Sequence, residues 1–204
     1  GSDKQAPYFG IDNEDNPAMG YRAIRICLKE PHIFRAQLRA LLRASVYGNL
    51  NVMFPMISRL EQVRQIKEII AGLKAELDAE GIAYSDSIQF GIMVETPAAA
   101  VMSDALAKEV DFFSLGTNDL TQYTMAVDRM NARVSDLFDS ADPAILRLIE
   151  LTAKNAHDAG IWVGICGESA ANTALTDFYM SVGIDELSVS PSSVAAVKRA
   201  VLES

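Results

Sequence analysis

Five short β-branched or otherwise apolar runs, at residues 51–55, 89–94, 111–116, 162–166 and 186–189, recur along this 204-residue chain with helical patterns between most of them. No other feature constrains the fold as much. Continuous apolar runs of this length mark the buried strands of a parallel sheet. Ser58 and Glu61 stand at capping-box spacing ahead of Leu60, Val63, Ile66, Ile70, Leu73 and Leu77, which share one face of a helix. A second helix starts at Pro31, carries Phe34, Leu38, Leu41 and Val46, and is expected to end near Gly48. A third has Asp142 as N-cap and Pro143 in its first turn, and stops near Gly160. Less regular patterns predict helices over 172–182 and 192–202. Strands alternating with helices pair in parallel through right-handed crossovers, which a doubly wound sheet and a (β/α) barrel satisfy equally. A full barrel takes about 250 residues, so a barrel built from these five units is expected to be incomplete. The polar opening, 3–16, reads as a loop or a severed connection, and Gly1-Ser2 as what a protease leaves after tag removal.

Half the residues are hydrophobic, enough for one domain with a real core. No apolar run approaches the roughly 20 residues of a membrane span, and no leader precedes the first strand, so a cytoplasmic protein is expected. Cys27 and Cys166 are too few for a disulfide framework and lack metal-site spacing, and are expected as reduced thiols. A net charge of -9 argues against nucleic-acid or anionic-membrane partners, which need a basic surface. It leaves room for a local anion site.

In either parallel architecture ligands bind beyond the carboxyl ends of the strands. Three apolar runs end in informative residues: Glu95-Thr96-Pro97, Gly116-Thr117-Asn118-Asp119 and Cys166-Gly167-Glu168. Glu95 and Asp119 follow consecutive strands, whose ends lie about 5 Å apart if they are neighbours. Two carboxylates completed by water and substrate oxygens are a usual way to hold Mg²⁺; the competing reading is that Glu95 caps a helix beginning near Pro97 and Asp119 a turn after Gly116. Asn118 can donate to a phosphate or carboxylate oxygen, with Gly116 allowing close approach. The segment 120–141 reads as a long loop over the site, with Arg129 either on a phosphate or in a surface ion pair. Pro17 and Gly20 imply a fixed turn before Arg22, with Arg25 as the bland comparison. Cys166 is either a proton-donating thiol or a small buried residue ending a strand. His32 and His157 fall in helical patterns without partners, and no Gly-rich phosphate loop of the ATP-binding kind is present.

The segments Asn16-Pro-Ala-Met-Gly-Tyr-Arg22, Val94-Glu-Thr-Pro97, Asp111-Phe-Phe-Ser-Leu-Gly-Thr-Asn-Asp-Leu-Thr-Gln-Tyr123 and Cys166-Gly-Glu168 together resemble the phosphoenolpyruvate-utilising enzymes. The continuation to Arg129 is most similar to the enzyme I branch of the bacterial sugar phosphotransferase system. The resemblance implies a (β/α)8 barrel of which this chain holds the later strands. It implies Mg²⁺ on Glu95 and Asp119, phosphoenolpyruvate on Asn118, Asp119 and Arg129, Arg22 on the transferring phosphoryl group, and Cys166 as the acid that protonates the enolate. Lys4 matches a lysine kept in that family. Implied partners are a phosphohistidine domain of the same parent chain, a phosphocarrier protein reached through it, and a second copy in a homodimer. Neither histidine here resembles the phosphoacceptor, and two further arginines of that branch fall before this segment, so the chain alone is expected not to turn over. Two other readings stay open: the dikinase or synthase branch, and a non-catalytic dimerisation module.

Overall fold

In the computed structural model, which describes residue 1 and residues 13–204, all five apolar runs form strands. Ser2 and Lys4 lie outside the described residues. The strands β1 (Asn51–Phe54), β2 (Gln89–Val94), β3 (Phe112–Gly116), β4 (Trp162–Cys166) and β5 (Glu186–Leu187) pair in parallel in the order in which they occur. A doubly wound sheet reverses its strand order at a switch point. Here every crossover steps to the next neighbour in the same sense, so the sheet is a sector of a (β/α) barrel, the fold that the resemblance implied.

Register assigns the two faces. Val52, Phe54, Ile92, Val94, Phe113, Leu115, Val163 and Ile165 point outward and are buried under the helices. Met53, Met93, Ser114, Cys166 and Glu186 point inward and are half-buried or exposed. The expected burial is complete on the outer face, whereas on the inner face Phe112 is buried but Met53, Met93, Ser114 and Cys166 are only half-buried. Low on the inner face the Phe112 ring stacks on Trp162 at 4.4 Å between centroids, and Trp162 Nε1 donates to Gln89 Oε1 at 3.0 Å. Gly91 sits beneath them because a Cβ there would lie 2.5 Å from the Phe112 ring.

The helices are α1 (Ile24–Lys29), α2 (Pro31–Ala44), α3 (Leu60–Ala79), α4 (Pro97–Val101), α5 (Ser103–Leu106), α6 (Thr117–Met125), α7 (Pro143–Asp158), α8 (Thr176–Ser181) and α9 (Val194–Glu203). Asp142 caps α7 as expected, its Oδ1 accepting from the Ala144 N–H at 2.8 Å. Two local readings are corrected. Helix α3 begins at Leu60, and Gln62 rather than Glu61 closes its first turn, accepting from the N–H groups of Ser58 at 2.9 Å and Arg59 at 3.1 Å. Val46 is exposed, because α2 tightens into a 3-10 turn at Ser45–Tyr47 that swings it off the core face; Leu42 ends the buried stripe and Ser45 is the buried residue of the turn. No helix among the described residues is long and apolar enough to cross a membrane.

Candidate functional site

The carboxyl ends of β1 to β4, the first turns of α6 and the segment before α1 enclose a cavity of about 820 Å³, lined by Arg22, Glu95, Asn118, Asp119, Arg129 and Cys166 among others. All six candidates read from the sequence thus meet in one space.

Glu95 and Asp119 arrive there by different routes. Glu95 follows β2 directly, with its side chain on the inner face, and is buried. It does not cap α4; Thr96 does, its Oγ1 accepting from the Ala99 N–H at 3.1 Å and donating to the Ile57 carbonyl at 2.8 Å. The Glu95 carboxylate accepts instead from the Met56 N–H at 2.6 Å, which Met56 presents from a left-handed conformation (φ 58°) just beyond β1. Burial pushes the Glu95 carboxyl from its ordinary 4.5 up to about 7; the Met56 N–H opposes this, the Asp119 charge adds to it and Arg22 counters it. Asp119 lies in the first turn of α6, buried, paired with Arg22 at 3.2 Å (Nη2 to Oδ2). With neither acid acting as a helix cap, the capping alternative has no support in the geometry.

Gly116 makes the approach possible. A Cβ at that position would lie 2.8 Å from Glu95 Cβ and 2.9 Å from Met93 Cγ. Gly167, at φ 106°, does the same for the neighbouring strand, since its Cβ would meet Thr117 Oγ1 at 2.6 Å and Asn118 Oδ1 at 3.2 Å. The first turn of α6 is fastened to the end of β4: Thr117 Oγ1 donates to the Cys166 carbonyl at 3.0 Å, and Ser169 Oγ donates to Thr117 Oγ1 at 2.7 Å. Asn118 Oδ1 accepts from the Glu168 N–H at 3.1 Å, which fixes the amide and leaves its NH₂ to donate into the cavity.

The two arginines that local pattern left equivalent, and that only the resemblance told apart, differ in their partners. Arg25 donates from Nη1 to the Gly20 carbonyl at 2.9 Å and also to that of Met19, closing the turn at Pro17–Met19. Arg22 points the other way, to Asp119, the Tyr123 hydroxyl at 3.1 Å and the Ala18 carbonyl at 3.2 Å. Arg129 is exposed on the rim, held through its backbone N–H by Gln122 Oε1 at 3.2 Å, and no acid among the described residues pairs with its guanidinium. The Cys166 thiol faces the cavity, accepts from Ser114 Oγ at 3.4 Å and donates to the Leu115 carbonyl at 3.5 Å; burial raises its pKa, so it keeps its proton at neutral pH. His32 pairs with Glu30 and His157 with Asp185, and neither lines the cavity.

Sequence reasoning missed three features. The start of the expected loop 120–141 is helix α6, running to Met125 and closed by Ala126 in the left-handed conformation. Met56 carried no signal, because left-handed backbone is usually announced by glycine or asparagine. Tyr123 stood only inside a longer motif.

Two neighbouring carboxylates, one of them paired with a guanidinium, suit a divalent cation that keeps water and substrate oxygens as its remaining ligands. Among the described residues no cluster of three or more His, Cys, Asp or Glu side chains offers a closed metal cage.

Comparison with known proteins matches the family described as PEP-utilising enzyme, PEP-binding domain, over residues 1–204. Among curated proteins, the phosphoenolpyruvate-protein phosphotransferase of Priestia megaterium is 53% identical over 194 residues, 95% of this chain and 34% of that protein. The protein of the same name from Bacillus subtilis is 54% identical over 194 residues, again 95% of this chain and 34% of that protein. That of Staphylococcus epidermidis is 50% identical over 201 residues, 98% of this chain and 35% of that protein. The chain thus spans about a third of the length of these relatives. Two solved structures share the fold. A citrate lyase from Burkholderia xenovorans LB400 has a TM-score of 0.59 at 19% identity, covering 82% of this chain and 53% of that one. An HpcH/HpaI aldolase/citrate lyase family protein from Burkholderia cenocepacia has a TM-score of 0.56 at 18% identity, covering 86% and 69%.

Proposed function

The chain belongs to the family of PEP-utilising enzymes, as their PEP-binding domain, and from that premise we propose that it is the substrate- and Mg²⁺-binding barrel of a phosphoenolpyruvate-protein phosphotransferase. The observation that carries the proposal is the gathering of Arg22, Glu95, Asn118, Asp119, Arg129 and Cys166 around one cavity at the strand ends.

Each residue has a physical task in that reaction. Arg129 and the Asn118 NH₂ bind the anionic oxygens of phosphoenolpyruvate. Arg22 offsets charge on the phosphoryl group as the bond to the enol oxygen breaks, leaving the electron pair on that oxygen, and a bond forms to a histidine nitrogen on a separate domain. The protonated Cys166 thiol then gives its proton to the methylene carbon of the enolate, yielding pyruvate and a thiolate. Glu95 and Asp119 would hold the Mg²⁺ ion, which when bound polarises substrate oxygens and offsets their developing charge. The full protein would be cytoplasmic, would pass its phosphoryl group to a phosphocarrier protein in sugar uptake, and would pair with a second copy; this chain alone would bind without turnover.

Isothermal titration of the chain with Mg²⁺ and oxalate, a mimic of the enolate, tests the site. Binding heat that disappears with Glu95→Ala plus Asp119→Ala supports the assignment, and unchanged heat sinks it.

A further inference from the structure

Resting on the reading of Glu95 and Asp119 as a cation pair, we propose that Tyr123 is a positioning residue that holds Arg22 against Asp119 as an internal counter-ion, in competition with the divalent cation for that carboxylate.

The geometry is specific. Arg22 splits its guanidinium: Nη2 goes to Asp119 Oδ2 at 3.2 Å, while Nη1 goes to the Tyr123 hydroxyl at 3.1 Å and the Ala18 carbonyl at 3.2 Å. The Tyr123 hydroxyl donates its own proton to the Ala18 carbonyl, so its oxygen lone pairs face Arg22. Its other neighbour is Met56 Sδ at 3.8 Å, on the residue whose N–H holds Glu95. One phenol therefore joins the segment before α1, the loop after β1 and helix α6. Asp119 and Tyr123 lie four residues apart, on one face of that helix, so a single rigid element presents both the acid and the group that aims Arg22 at it.

The Arg22 and Asp119 side chains are only 15% and 11% exposed. A charged acid so far from water is stabilised by a positive neighbour, and among the described residues Arg22 is the one that reaches it. A divalent ion entering beside Glu95 and Asp119 supplies that charge in place of Arg22, whose Nη2 can then turn from Asp119 to an incoming anion while Nη1 stays on Tyr123 and Ala18. Charge is exchanged within the cavity, and the site is not left with two bare carboxylates.

This competition has a sign that a purely structural role does not share. Mg²⁺ titration calorimetry on the chain at pH 8 should show Arg22→Gln binding the ion about five- to tenfold tighter, the scale of removing one unit charge a few ångströms away. Tyr123→Phe removes only a hydroxyl, loosens the arginine, and should tighten binding about two- to threefold, a fraction of that same charge effect. The double variant should match Arg22→Gln, since Tyr123 acts through Arg22, and Arg22→Lys should return affinity toward that of the unaltered chain. The Arg22 Nε–H resonance should shift on Mg²⁺ addition. Equal or weaker Mg²⁺ binding by Arg22→Gln overturns the proposal, as does a Tyr123→Phe effect that persists without Arg22. Glu95→Gln plus Asp119→Asn separates the two levels. If that variant loses Mg²⁺ binding while Arg22→Gln gains nothing, the counter-ion role alone falls; if it binds like the unaltered chain, the cation pair itself falls.

Discussion

The two faces of the sheet obey different rules although they come from the same strands. The outer face reads Val52, Phe54, Ile92, Val94, Phe113, Leu115, Val163 and Ile165, every one buried against helices. The inner face carries Gln89 and the Phe112–Trp162 stack at its foot and otherwise reads Met53, Gly91, Met93, Ser114, Gly116, Gly164, Cys166 and Glu186, a mixture of small, polar and adaptable residues leading up to Glu95 at the rim. Residues one apart along a strand serve these different ends because successive side chains point to opposite sides. The outer face supplies the free energy of folding. The inner face gives up burial to leave room for a ligand, and its glycines stand where other side chains must pass.

If this division is right, the largest stability loss comes from the outer face. Phe113→Ala removes a fully buried ring packed in the core and should cost about 3–5 kcal/mol in urea unfolding; a loss under about 1 kcal/mol would break the comparison. Next comes pH, through the rim. Because the folded chain holds the Glu95 proton up to about 7 against an ordinary 4.5, Glu95 contributes stability fully present below pH 4.5 and lost as pH rises through 7. For the cation-free chain that loss is on the order of 3 kcal/mol at most. Mg²⁺ binding runs the opposite way and should weaken about tenfold per pH unit below 7, since the ligand must first lose its proton. Thermal unfolding and calorimetry across pH 5–8 measure both slopes, and a Glu95→Gln variant should flatten them.

Gly116→Ala sharpens the comparison within the inner face. Its methyl would press on Glu95 Cβ at 2.8 Å, an atom next to backbone that cannot easily yield, and should cost about 1–3 kcal/mol. Mg²⁺ affinity should fall with it, whereas Phe113→Ala should leave the affinity of the folded fraction intact. The smallest stability effect belongs to Cys166→Ala, under about 1 kcal/mol, because the half-buried thiol makes only weak hydrogen bonds. In a full-length protein with the proposed activity the same change should slow pyruvate formation by about a hundredfold or more. A large stability loss with normal pyruvate formation would move Cys166 from the ligand's side of the comparison to the core's.

Much of this was legible in advance. Strands 89–94 and 162–166 coincide with the observed β2 and β4, and the last strand is shorter than its apolar run, β5 ending at Leu187. Gln89, Phe112 and Trp162 join those runs for a different reason: they stack and hydrogen-bond on the inner face. Helix α6 escaped notice because it buries Thr117, Asp119 and Thr121 alongside Leu120, so no apolar stripe of helical period is visible. Gln62 replaced Glu61 because the register of a first turn depends on where the preceding chain leaves the strand, beyond what local spacing specifies.

The sequence by itself determined the alternation of strand and helix, the parallel pairing that follows from it, and the appearance of Glu95, Asp119 and Cys166 at strand ends, because these depend on periodicity and order along the chain. Periodicity left a doubly wound sheet and a barrel sector open, and the motif resemblance implied the barrel; the tertiary structure bears that out through the order of the strands, which turns on the direction of each crossover. The tertiary structure alone gave the α4 cap to Thr96 rather than Glu95, and brought Tyr123 and the Met56 N–H to the site; Arg22 and Arg25, which the resemblance had already told apart, it supplied with their partners. The pairings of Arg22, Glu95 and Tyr123 join groups far apart in sequence but adjacent in space. Their hydrogen bonds form only once the sheet has set the distances, and no local pattern encodes them.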